Sequence, residues 1–138
     1  MPGDALHPAY FQTHFRRERT WDDWPEAFAV ITAFATTGER WSPAQNAEAD
    51  RRLELELRSR SRWVRRLTGY SPTTAHAEPG WAVEISFDDA CEIGMHFRQD
   101  AVYYVDADQL QVSHCDARRS LVNIGAFRQR VHEEPAGV

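Results

Sequence analysis

The chain contains no lysine, only two cysteines and no long apolar run, and each shortage narrows what it can be. All 16 basic side chains are arginine. Arginine offers a rigid fork suited to carboxylates and phosphates, and an arginine-only complement is also what GC-rich coding produces. Acidic residues outnumber basic ones, giving a net charge of −5, which argues against non-specific nucleic-acid binding through a positive surface. Cys91 and Cys115 stand far apart, without the paired spacing of a metal site, and read as free thiols in a reducing compartment. The opening "MPGDALHPAYFQTHFRRERT" lacks the apolar core of a secretion signal, and no segment approaches the ~20 apolar residues of a membrane span. A cytoplasmic protein without a membrane partner is expected.

What is present describes a folded domain. The chain has 138 residues, 42% of them hydrophobic and 12% aromatic, which is enough for one self-sufficient core. Residues 9–19 carry Tyr10, Phe11 and Phe15 at a spacing that predicts a short amphipathic helix. "AFAVITAF" (27–34) is apolar on both alternating faces, the pattern of a strand covered from both sides. Ser42, Pro43 and Gln45 form a helix start with a capping box, followed by Asn46, Ala49, Leu53 and Leu57 at helical spacing, so a helix is predicted from 43 to 60. "RWVRRLTGY" (62–70) reads as a strand. "GWAVEISF" (80–87) reads as another, with one dry and one wet face. "SFDDACEIGMHFRQ" reads as a second helix, "AVYYV" and "LQVSHC" as a hairpin across "DADQ", and "LVNIGAF" (121–127) as one more packed element.

This order predicts an α+β two-layer sandwich. Its sheet is a four- or five-stranded, mostly antiparallel one with the two helices on one side, and ferredoxin-like with an added hairpin is the nearest architecture. The domain is expected over 27–127, with an N-terminal helical and aromatic extension at 1–26 and a flexible tail at 128–138.

Several clusters carry possible chemistry, and each has an architectural alternative. In "SPTTAHAEPGW", His76 and Glu78 fall on one side of an extended backbone, where a carboxylate can orient an imidazole as general base. The same pair can instead tie the loop down by hydrogen bonding. The other histidines and the cysteines show no ligand spacing of the HExxH or CxxC kind, so no metal and no cofactor are expected. "SHCDARR" sets Cys115 beside His114, but neighbours in a strand point to opposite faces. "RSRSRWVRR" concentrates Arg58, Arg60, Arg62, Arg65 and Arg66 around Trp63. Arginine with tryptophan can grip a phosphate and stack a base, while Glu48, Asp50, Glu54 and Glu56 on the same helix can neutralise these charges. Trp21 and Trp24 in "WDDWP" offer either a recognition surface or a cover for the core. Thr32 and Asn46 sit at a strand end and in a helix first turn, where exposed amides can hold an anion.

Taken in order, "FAVITAF", "QNAEADRRLELELR", "SP…HAEPGWAVE" and "FRQDAVYYV" resemble the bacterial domain-of-unknown-function 3293 family over about residues 27–115. The resemblance implies attention to Thr32, Asn46, Gly69, His76, Glu78, Pro79 and Gln99. The family's "ITAxNP"-like motif is broken here, since Ala35 and Thr36 stand at the Asn-Pro positions. The expected function is a binding or regulatory domain recognising a protein partner or a small polar ligand, with Thr32, Asn46, Gln99 and Gly80 as ligand-binding residues. A small hydrolase or transferase centred on His76 and Glu78 is the alternative, and arginine-mediated nucleic-acid binding a third. Sequence leaves the oligomeric state open.

Overall fold

The computed structural model describes residues 6–17, 24–35, 40–74 and 76–133. A short 3-10 turn at Pro8–Phe11 leads into β1 (His14–Arg17), followed by β2 (Ala27–Ile31), α1 (Pro43–Arg60), β3 (Val64–Tyr70) and β4 (Ala77–Val83). Then come α2 (Phe87–His96), β5 (Ala101–Asp106), β6 (Gln109–His114), β7 (Val122–Ala126), a second 3-10 turn and β8 (Val131–Glu133). All eight strands form one sheet in the order β7-β6-β5-β2-β4-β3-β1-β8. β8 runs parallel to β1, and the other described pairings are antiparallel, so the sheet is mixed.

The expected four- or five-stranded sandwich with two helices on one side is therefore wrong. The protein is built on a single eight-stranded sheet curled into a half-barrel. The physical reason lies in β2 and β4, which are buried on both faces. On one face Ala29, Ile31, Trp81 and Val83 pack with Leu53 and Leu57 of α1 and Ala90 and Ile93 of α2. The other face, carrying Phe28, Val30 and Ala82, also needs a dry cover. Phe15, Phe127 and Leu110 supply it, with Trp24 and Trp63 packed alongside. Rings of Phe28 and Phe127 meet edge to face at 5.2 Å, and Trp24 meets Phe127 at 4.9 Å. Curling lets one sheet enclose this second core without another layer.

The flanks supply that cover. The segment read as an amphipathic helix over 9–19 instead makes one 3-10 turn and then β1, because Phe15 is drawn into the second core at 1% exposure. Residues 128–133, expected in a tail, complete a 3-10 turn and add β8 beside β1. Trp21 and residues 36–39 lie outside the described residues. Trp24 stacks on Phe28 and meets Trp63 at a tilt, so it covers the core.

Local signals elsewhere match closely. Ser42 Oγ accepts from Gln45 N–H at 3.1 Å, and Gln45 Oε1 accepts from Ser42 N–H at 2.8 Å, completing the capping box. Ala107 and Asp108, with φ of 49° and 70°, make the two-residue turn of the β5–β6 hairpin. One strand is displaced: the segment expected over 80–87 as half-wet is β4 at Ala77–Val83, and Gly80 to Val83 are all buried. Its residue Gly80 is required by packing, since a Cβ there would lie 2.7 Å from Thr32 Cγ2 and 2.8 Å from the Ile31 carbonyl.

Candidate functional site

At one end of the curl the second core stops short. The ends of β2, β3, β4 and β5 surround a cavity of about 470 Å³ there, and the 3-10 turn at Pro8–Phe11 forms another wall. Thr32 follows β2, Gly69 and Tyr70 close β3, Glu78 opens β4, Gln99 precedes β5, and Ala101 and Tyr103 belong to it. Alternation puts Val30 and Thr32 on the face of Phe28, so the cavity continues the second core outward.

Gln99 is placed by the end of α2. Arg98 adopts a left-handed φ of 59°, its N–H donates to the Met95 carbonyl, and the Gln99 N–H donates to the Gly94 carbonyl at 2.8 Å. This is a Schellman closure, which leaves no freedom in where residue 99 emerges. The Gln99 side chain then ties the stretch after β2 to the end of α2. Its Nε2 donates to the Phe34 carbonyl at 2.8 Å and the Phe97 carbonyl at 3.2 Å, while Oε1 accepts from the Thr32 hydroxyl at 3.0 Å. Its own carbonyl accepts from the Cys115 thiol at 2.9 Å.

The loop between β3 and β4 is closed by its own hydrogen bonds. Ser71 N–H donates to the His76 carbonyl at 3.0 Å, and Ser71 Oγ accepts from the N–H groups of Thr73 and Thr74. His76 Nε2 and Glu78 Oε2 meet at 3.1 Å on the rim, with 70% and 32% of their side chains exposed. Among the described residues the imidazole has no third polar partner, which the acid–base reading requires. Tyr103 donates its hydroxyl toward the Tyr10 carbonyl and Thr13 Oγ1, each at 2.8 Å, fixing the 3-10 turn over the cavity. Burial pushes the phenols of Tyr10 and Tyr103 well above their ordinary range, and the nearby Glu78 carboxylate adds to both shifts.

Of the ligand-binding residues expected from sequence, Thr32 and Gln99 line this cavity together with His76 and Glu78. Asn46 lies on an adjoining hollow of about 460 Å³ that shares His76 and Glu78 as its wall, and its Oδ1 accepts the Ala35 N–H at 2.9 Å. Gly80 lines neither cavity and serves the close approach to Thr32. The arginine cluster lies elsewhere. Arg58 pairs with Glu54 at 2.9 Å, Arg60 with Glu56 at 2.7 Å, and Arg66 with Asp50 through two hydrogen bonds of 2.7 and 2.9 Å. Arg65 lies over the ring of Trp63, which itself packs on Phe28 and Trp24, so the indole is no open stacking platform. Arg62 has no carboxylate partner among the described residues.

Cys91 and Cys115 are buried free thiols, and burial raises each to about 11, against any role as a nucleophile. Among the described residues no three His, Cys, Asp or Glu side chains are grouped to hold a metal ion, and no helix is long and apolar enough to cross a membrane. Tyr10, Thr13 and Tyr103 were missed from sequence. Alternation in "AVYYV" was the available signal for Tyr103, since it sets that ring opposite Val102 and Tyr104.

Fold and site together define an α+β domain whose curled sheet holds a mostly apolar cavity with a polar rim. A family described as a protein of unknown function (DUF3293) matches residues 31–102. The chain belongs to that family, and the matched span holds Thr32, Asn46, His76, Glu78 and Gln99. No curated protein and no solved structure matches it.

Proposed function

We propose that this domain acts by binding a small ligand in the cavity at the open end of its curled sheet, in the cytoplasm. The observation that carries this reading is the convergence of Thr32, Gly69, Glu78, Gln99 and Tyr103 on one cavity of about 470 Å³, a size typical of small-molecule sites. Its apolar floor of Phe15, Val30 and Ala101 provides area to bury, and its few polar groups provide orientation. Two buried, unlinked cysteines fit a reducing compartment. A protein partner has less support, because only four large apolar side chains are exposed among the described residues, Leu55, Met95, Leu121 and Val122, and they come from three different segments. Catalysis by His76 lacks a third group, and nucleic-acid binding would have to break the ion pairs of Arg58, Arg60 and Arg66. Two-dimensional NMR against a fragment collection tests the proposal. Bound fragments should shift amides at 31–33, 69–71, 76–78 and 99–103 together; fragments that shift only other regions, or none that bind, would reject it.

A further inference from the structure

We propose that the ligand of this cavity is a small organic cation, an amine with an apolar body, held by Glu78 and the surrounding aromatic rings. The inference rests on the receptor reading above and adds the chemical class. Among the described lining residues of the cavity there is no arginine, the basic groups are the imidazoles of His7 and His76, and Glu78 is the single carboxylate. Its Oε2 takes the His76 contact at the rim, and Oε1 has no partner among the described residues.

Three polar groups of the inner wall have already given their protons to the protein. Thr32 gives its proton to Gln99, Gln99 gives both amide protons to the Phe34 and Phe97 carbonyls, and Tyr103 gives its own toward Tyr10 and Thr13. An anion entering here would meet the Glu78 charge with no arginine among the described lining residues to offset it. An ammonium would meet a carboxylate, the open lone pairs of Thr32, and the rings of Tyr10 and Tyr103, a combination suited to a cation. Arg130, whose charge reaches Tyr103, is committed to the carbonyls of Phe11, Thr13 and Ile124. Burial first, then Asp100 and more weakly Glu78 at Tyr10, and burial with Glu78 at Tyr103, make both phenols harder to ionise. Apolar surface from Phe15, Val30 and Ala101 then covers the body of the ligand.

Three size-matched probes decide the matter: phenethylammonium, 3-phenylpropionate and the neutral 3-phenylpropan-1-ol, titrated into the full chain by NMR at neutral pH. The ammonium should bind at least tenfold more tightly than either of the others, and Glu78→Gln should erase that preference while leaving the alcohol unchanged. Equal or tighter binding of the carboxylate, or an ammonium affinity insensitive to Glu78→Gln, would overturn the assignment of charge and leave the receptor standing. Failure of all three probes to shift the cavity amides would overturn both. The wild-type comparison alone decides the charge preference if the variant does not fold.

Discussion

Gln99→Met separates a residue that holds the site together from one that waits for a ligand. Methionine keeps the length and most of the volume of glutamine but removes three hydrogen bonds, those with Thr32, Phe34 and Phe97. A neutral hydrogen bond contributes about 1 kcal/mol net, so a full loss would cost about 3 kcal/mol. The Phe97 bond is long at 3.2 Å. The freed groups also border a cavity that water can enter, so partial rehydration lowers the expected cost to about 2 kcal/mol. With a urea dependence of about 1.5 kcal/mol per molar for a chain this size, the unfolding midpoint should fall by ~1.3 M. Denaturation followed by tryptophan fluorescence reads the shift, and hydrogen exchange should show lost protection near Ala35 before global unfolding. A variant within 0.5 kcal/mol of wild type would refute the reasoning. It would mean that the Gln99 amide is not engaged by the protein and is available to a ligand instead.

Asp50 accepts from Arg66 and from the Trp81 indole N–H at 3.0 Å, and Asp50→Ala leaves both donors without their acceptor. Arg66 retains some solvent, so the cost should be about 2.5 kcal/mol rather than the larger value of a fully buried pair; chemical denaturation checks it, and adding Arg66→Met should recover part of the loss. His14 Nδ1 lies 3.1 Å from His132 Nε2 across the β1–β8 pair, with Tyr70, Arg16 and Arg130 around them. Burial, then His132 and Arg130, lower the affinity of His14 for its proton in the fold, so its contribution is fully present above the ordinary value near ~6.5 and is lost as pH falls below it. Wild type should therefore lose more thermal stability between pH 7.5 and 5.5 than His14→Gln.

The parts of this fold that sequence reveals are those set by neighbours along the chain. Ser42 and Gln45 are three residues apart and cap α1 whatever the rest of the molecule does, and Ala107 and Asp108 turn a hairpin whose strands are adjacent. Two-faced apolarity in β2 likewise states a local fact, that both sides must be covered. It does not state what covers them. β1 and β8 are four and three residues long, and "HFRR" and "VHE" carry no periodicity that separates strand from helix. Their conformation follows from Phe15 and Phe127 finding Phe28, a long-range event in which tertiary burial overrides local preference. Missing those strands meant missing the curl, and with it the wall that Pro8–Phe11 gives the cavity. Thr32, His76 and Glu78 were visible because polar residues at strand ends stand out against apolar runs, and Gln99 was visible only through the family resemblance. Tyr10 and Tyr103 were not, because an aromatic side chain in sequence looks the same whether it fills a core or lines a hollow beside one. The same logic explains Gln99, whose engagement depends on a Schellman turn meeting a strand end that lies 67 positions away in the chain. A side chain so placed lines the cavity with its amide protons already engaged by the protein, whereas Glu78 Oε1 has no partner among the described residues.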